Sequence, residues 1–187
     1  MVTGSAPAGR HPREASLTQL AGSVPDPELP VITLAELGVL RRVAEPEPGH
    51  VRVELTPTYT GCPAIEAMAA DIERVLREEG GAERVEVRTV LSPPWSSDDI
   101  SEEGRRKLAE HGVAPPRAGA RRAGPVLVGL SPTRHTHPAQ APAPEPVRCP
   151  NCGSAATELL SRFSSTACKA LRRCTDCREP FDHFKEV

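Results

Sequence analysis

The sequence predicts an α+β fold: one small sheet with helices on one face, in the order α-β-β-α-β-α. A Pro-rich linker and a small module closed by four cysteines follow it. Three observations lead there. "HVRVELT" (50–56) alternates apolar and polar residues, the period of a half-buried strand. Ile65, Met68, Ala69, Ile72, Val75 and Leu76 recur at helical spacing and form one apolar stripe. "CPNC" (149–152) and "CTDC" (174–177) place two C-x₂-C pairs 21 residues apart.

Each element follows from local chemistry. Residues 1–13 are small, polar and Pro/Gly-bearing, which predicts a disordered tail. A short helix is expected from Ser16, with Leu17, Leu20 and Ala21 on one face. "VPDPELP" (24–30) ends it, because three prolines in six residues cannot continue a helix. "TLAELGVLRRV" reads as a helical turn running into a strand, with Gly38 at the change. The "EPEPG" turn then predicts a hairpin between strands near 39–45 and 51–56, with Val51, Val53 and Leu55 facing one side. After the helical stripe, Gly80-Gly81 is a stop signal. "ERVEVRTVL" returns to alternation, with Val85, Val87, Thr89 and Leu91 expected inward. A last helix is expected over 100–111, capped by Asp98, Asp99 or Ser101. These elements make an α+β domain over 14–115, large enough to bury its own core.

Residues 116–147, continuing from Pro115, are rich in Pro and small residues without periodicity and read as an extended linker. "VLVGL" (126–130) is the one apolar knot in it. The four-cysteine module occupies 148–187.

The chain of 187 residues carries a net charge of −2 and 3% aromatics, which gives no sign of a general nucleic-acid binder. Residues 16–115 hold 10 basic and 18 acidic groups, a balance that a solvated surface explains most simply and that would suit a basic partner. The N-terminus carries no export-signal pattern, and no stretch approaches the roughly 18 apolar residues of a membrane span. A cytoplasmic location is expected, where thiols stay reduced and clustered cysteines serve as metal ligands or reactive groups.

Cys149, Cys152, Cys174 and Cys177 have the spacing of a zinc ribbon. Each pair forms a knuckle, and two knuckles close a tetrahedral site that can stabilise a module of this size. Gly153 supplies backbone freedom after the first knuckle. Zinc is favoured over a rubredoxin-like iron. Cys168 fits neither pair; it is either a small buried group or a second thiol able to ligate metal. Phe163, Phe181 and Phe184 are expected in the small core of this module.

Cys62, in "PTYTGCPA" (57–64), precedes Pro63, and proline is favoured at the first helical position. A thiol at a helix start meets free N–H groups and the helix dipole, so its pKa is expected to be lowered. That makes Cys62 a candidate nucleophile, soft-metal ligand or anion-binding end; a packed small hydrophobe is the plainer alternative. Asp26, before a proline, can lock a turn through its side chain or act with Cys62 if the fold brings them together. The six histidines form no metal motif, and His135 and His137 fall in the linker.

"VPDPELPVITLAELGVLRRV", "PTYTGCPA" and "SPPWSSDDISEEGRRKL" resemble the conserved blocks of the small domain shared by bacterial SufT-type and eukaryotic cytosolic iron–sulfur assembly factors. With "STACKALRRC" and "CREPFDHFK" in the ribbon, the combination is similar to the PaaD (PaaJ) family of proteins encoded with phenylacetyl-CoA epoxidase. The resemblance spans about 17–116 and 147–187. It implies phenylacetate catabolism, in which phenylacetyl-CoA becomes a ring 1,2-epoxide. It also implies an oxygenase with a di-iron subunit and a reductase carrying flavin and a plant-type iron–sulfur cluster. This chain is then an accessory, not itself catalytic, acting in iron–sulfur or iron-centre maturation, with those oxygenase subunits as partners and a homodimer as a further option. Cys62 would be a transient ligand for iron or a cluster, Asp26 would lie near it, and the ribbon would hold structural Zn²⁺. A structural or regulatory subunit is the alternative, and a thiol redox enzyme a third, which the lack of a C-x-x-C partner for Cys62 disfavours.

Overall fold

The computed structural model describes residues 12–119 and 146–186. The expected tail up to residue 11, most of the linker with "VLVGL", and His135 and His137 lie outside the described residues.

The first helix, α1 (Pro12–Ser23), begins four residues before the expected Ser16. Proline at a first helical position has a suitable φ and no N–H to leave unpaired, which accounts for the earlier start. Leu17 and Ala21 are buried beneath it. The Pro-rich turn leads to α2 (Leu34–Leu37), a single helical turn with a capping box. Glu36 N–H donates to Thr33 Oγ1 at 3.2 Å, and Thr33 N–H donates to Glu36 Oε2 at 2.9 Å. Gly38 closes the turn at φ +75°, and a Cβ there would lie 2.3 Å from the Asp99 carbonyl oxygen. Only glycine meets both demands.

The hairpin forms as the alternation requires: β1 (Leu40–Glu47) pairs antiparallel with β2 (His50–Leu55). Along β2, Val51, Val53 and Leu55 are buried on one face. Helix α3 (Ala64–Glu78) buries Ala64, Met68, Ile72 and Leu76 and crosses over to β3 (Arg84–Thr89), which runs parallel to β2. The sheet order is β1-β2-β3, with α1 and α3 on its apolar face. Its other face carries ion pairs such as Arg52–Glu86 at 3.2 Å. The inward expectation holds for Val85, but Thr89 and Leu91 are exposed, Leu91 at 63%. Thr89 is the last paired residue, at the exposed end of the strand, and Leu91 beyond it has no sheet to point into.

After a 3₁₀ turn at Ser97–Asp99, α4 (Glu102–Glu110) starts on Ser101, whose hydroxyl accepts from the Gly104 N–H at 3.0 Å. Lys107 ties α4 to α2 through Glu36 at 2.6 Å.

The chain then joins its two modules. A two-residue strand, β4 (Val113–Ala114), pairs parallel with β7 (Pro180–Phe184), the last strand of the cysteine module. That module also contributes β5 (Thr157–Ser161) and β6 (Lys169–Cys174), giving a second sheet of order β4-β7-β6-β5. Phe184 does not fill a core of the module itself. It is 1% exposed within the large apolar cluster of the first region, 5.8 Å from the Trp95 ring. Trp95 is itself anchored, its Nε1–H donating to the Leu37 carbonyl at 3.0 Å. Burying a phenylalanine contributes about 1.5–3 kcal/mol, which adds to the β4–β7 pairing in joining the module to the first region. Phe181 is buried beside the cysteines, as expected, whereas Phe163 is 61% exposed. So few residues separate the sheet from solvent that the module cannot enclose three aromatic rings.

Candidate metal centre and thiol pocket

The four-cysteine site is built by two reciprocal turns. In the first, Cys149 N–H donates to Ser154 O and Gly153 N–H returns to Cys149 O, both at 2.9 Å, with Gly153 at φ +75°. In the second, Cys174 N–H donates to Glu179 O at 3.0 Å, and Arg178 takes the left-handed position at φ +69°. Cys149 and Cys177 sulfurs lie 3.8 Å apart, Cys152 and Cys174 sulfurs 3.6 Å, and all four within 4.8 Å of one another. A tetrahedron with zinc–sulfur bonds of about 2.3 Å has edges of about 3.8 Å. The donor set therefore fits zinc without rearrangement. Backbone N–H groups of Cys177 and Asp176 help draw Cys174 down to about 7, so that a thiolate forms readily there. For Cys177, burial and the neighbouring thiols outweigh the Glu179 N–H and push the group up to about 12. Four thiols held this close cannot all ionise until a cation neutralises them. Zinc, once bound, supplies structure and requires all four groups as thiolates.

The second site lies between the first region and the cysteine module. A cavity of about 30 Å³ is lined by Asp26, Cys62, Thr166 and Cys168, with apolar walls that include Leu37, Met68 and Phe184. Tyr59, half exposed, stands among the lining residues. Its polar groups come from three separate segments: the α1–α2 turn, the approach to α3, and the residues just before β6.

Cys62 directly precedes Pro63, the cap residue of α3, so the proline stands one position before the first helical residue. The helix-start geometry is as expected, with the N–H groups of Ala64 and Ile65 directed at the thiol. The lowered pKa is not. Burial dominates and pushes the Cys62 thiol up, with nearby Cys168 and Asp26 adding in the same direction. Apolar walls remove the water that would stabilise a thiolate, and that loss outweighs the N–H groups at the helix start.

Asp26 is 4% exposed. Its Oδ1 accepts from Glu28 N–H at 2.8 Å and Leu29 N–H at 2.7 Å, the side-chain turn lock expected of it. The fold also brings it beside Cys62. Burial raises its pKa, although those two hydrogen bonds oppose the rise.

Cys168 is half-buried in the same cavity, its sulfur 3.1 Å from Thr166 Oγ1, and its carbonyl accepts from Lys185 N–H at 2.9 Å. Lys169, next to it, is a site residue that sequence reasoning misses. It is 4% exposed and pairs with Asp182 at 3.4 Å, and its charge reaches Asp26. A lysine in a charged ribbon strand reads as surface, whereas here it sits on β6 opposite Phe184 of β7, the residue buried in the main core. Among the described residues, the four ribbon cysteines are the only set of three or more such donors drawn so close.

Comparison with known proteins follows the same division. Residues 17–88 match the family described as iron–sulfur cluster assembly protein. Residues 133–185 match the PaaD zinc beta ribbon domain. The chain is 40% identical over 174 residues to a putative subunit of the 1,2-phenylacetyl-CoA epoxidase of Escherichia coli K12, covering 93% of each. It is 30% identical to an Fe-S protein maturation auxiliary factor of Porphyromonas gingivalis, covering 51% of this chain and 90% of that one. A solved DUF59 domain from Bacillus anthracis is 29% identical, covers 51% of this chain and 91% of its own, and superposes with a TM-score of 0.48.

Proposed function

We propose a role for this chain from one premise: it belongs to the PaaD family, together with the putative epoxidase component of Escherichia coli that it matches along nearly its whole length. The chain is an accessory component of a phenylacetyl-CoA epoxidase, the multicomponent oxygenase that makes the ring 1,2-epoxide in phenylacetate catabolism. Its task is maturation of an iron or iron–sulfur centre in that complex, and it turns over no substrate of its own. The observation that supports this most is the match of both modules, in order, across 93% of the chain.

In this reading residues 14–115 are the assembly-like domain, 116–147 the linker and 148–187 the zinc ribbon. Cys149, Cys152, Cys174 and Cys177 hold structural zinc. Cys62, with Asp26 beside it, handles the iron or cluster as cargo. A thiol with a raised pKa suits a carrier, because it binds a cation strongly only while deprotonated and is neutral when empty. The partners are the reductase or di-iron subunits, the compartment is the cytoplasm, and the chain acts alone or as a homodimer. No helix of the described residues is long and apolar enough to cross a membrane.

Growth on phenylacetate tests the reading. A strain carrying Cys62→Ser should grow poorly on phenylacetate and normally on a non-aromatic carbon source. Normal growth on both removes the proposed role of the thiol.

One observation favours a second reading, a permanent structural component. The ribbon's edge strand β5 leaves Leu159 and Leu160 about half exposed, and Phe163 beyond it more so. Co-purification with the active oxygenase at fixed stoichiometry would support that reading.

A further inference from the structure

His183 and Phe184 are successive residues of β7, so their side chains leave opposite faces of the second sheet. Phe184 lines the thiol pocket, whereas His183 lines a separate cavity of about 280 Å³. We propose that this second cavity binds a small monocarboxylate with an apolar body, its carboxylate held by His183 and Arg148. The site is distinct from the thiol pocket, and the proposal does not depend on the maturation role.

The cavity is built from both modules. Ala114 and His183 face each other across the β4–β7 pairing and form one wall. On the side of the first region, the Pro116 carbonyl accepts from the Arg105 guanidinium, which fixes the chain where it leaves β4. On the side of the cysteine module, the Thr157 hydroxyl donates to the Val147 carbonyl at 2.8 Å and ties that segment to β5. Each wall is thus held by a regular element.

The lining has the chemistry of a single negative charge with an apolar remainder. Arg117 donates to both Glu186 carboxylate oxygens, at 2.7 and 3.2 Å, so that pair adds no net charge. Arg148 donates to the Gly153 carbonyl at 3.2 Å and forms no ion pair among the described residues, which leaves one positive charge in the lining. His183 is 8% exposed, yet its ring makes no hydrogen bond among the described residues. A buried imidazole without a partner is unfavourable until something completes it. Burial holds its pKa below the usual histidine value, so at neutral pH it is uncharged and has one N–H to donate. Arg172, on the neighbouring strand, adds a positive charge that reaches His183, and its own Nε is buried without a hydrogen bond. Pro115, Pro146 and Val147 supply apolar surface for the rest of a ligand. Glu186, in the same lining, disfavours a dianion such as inorganic phosphate. The cavity falls just below the about 300–1,000 Å³ of common ligand sites, which restricts it to a small molecule.

NMR titration of the zinc-loaded full chain with phenylacetate, an acid of this class, is the test. Signals of the His183 ring and the Arg148 backbone should shift together and saturate at one equivalent. Phenylacetamide lacks the charge, acetate lacks the apolar body, and inorganic phosphate carries too much charge. Each should bind at least about tenfold more weakly, the scale of losing one charge-assisted hydrogen bond or its equivalent. Equal binding of any of the three overturns the ligand class. Arg148→Gln should weaken phenylacetate by a similar factor, and unchanged affinity in a zinc-retaining variant overturns the proposal. Arg148 neighbours Cys149, so if the variant loses zinc the wild-type shifts decide instead. A saturating shift that spares His183, or no saturation at millimolar phenylacetate, overturns the site.

Discussion

The ribbon and the pocket both gather cysteines, and they do so by opposite means. In the ribbon, two short turns set four sulfurs at tetrahedral spacing, and backbone N–H groups already favour a thiolate at Cys174. In the pocket, two sulfurs converge only through tertiary packing, and apolar walls push Cys62 toward the neutral thiol. The first arrangement holds a metal permanently. The second suits one that arrives and leaves, since an empty pocket carries little charge and a loaded one must first release protons.

The largest effect should come from breaking the ribbon. Structural zinc contributes about 10–16 kcal/mol of apparent binding free energy to modules of this kind. Cys149→Ser should therefore abolish stoichiometric zinc and the ribbon's fold, and with it the protection of Cys168 from alkylation. Zinc analysis and circular dichroism check the first two. Retained zinc at one equivalent would mean that three thiolates suffice.

Separating the two sites is the next test. Phe184→Ala empties a fully buried ring and should cost about 3–5 kcal/mol in denaturant unfolding. The ribbon should keep its zinc, because its cysteines do not touch the lost ring, while Cys168 becomes freely alkylated. Equal protection of Cys168 in the variant would show that β4 pairing alone docks the module.

Smaller effects sharpen the electrostatic contrast. Burial holds the Cys62 thiol above its ordinary value, so the neutral thiol dominates at neutral pH. Its labelling rate in metal-free protein should climb through pH 9 and beyond; a plateau by pH 7 would restore the helix-dipole expectation. The sign for stability follows: the folded state holds the proton more tightly, so this group's contribution is full below the unfolded pKa and is lost as pH rises toward the folded value.

Asp26 should give the smallest change. Its folded pKa is raised above 3.8 by burial, so the wild type gains stability from it on acidification and is penalised for the charge at neutral pH. Asp26→Asn keeps the Oδ1 acceptor and removes the charge. The variant should be slightly more stable than wild type at pH 7 and no different below about pH 3.8. A variant less stable at pH 7 would mean that Lys169 stabilises the ionised carboxylate more than burial opposes it.

What the sequence discloses follows the same line as the two sites. The hairpin, the α3 stripe and the Ser101 cap are local patterns, and they are legible because each is enforced within one element. The C-x₂-C pairs are legible because the chain between the cysteines is a turn. Docking of β7 against β4 leaves no such trace, since a two-residue parallel strand and one phenylalanine have no periodicity. The meeting of Cys62 and Cys168 on one cavity and the displacement of Phe184 into the main core both depend on that docking. Leu91 continues an alternation past the end of the sheet, where pattern alone cannot register that the partner strand has stopped, and Thr89 is the last paired residue at its exposed end.

The central claim is that the pocket thiol delivers metal while the ribbon only holds it. Its most direct test is the iron and acid-labile sulfide content of the oxygenase reductase and di-iron subunits, purified anaerobically from strains carrying this chain as wild type or as Cys62→Ser. The account predicts depleted iron or sulfide in at least one of those subunits from the variant strain, with this chain's own zinc unchanged. Full iron and sulfide in both would contradict it.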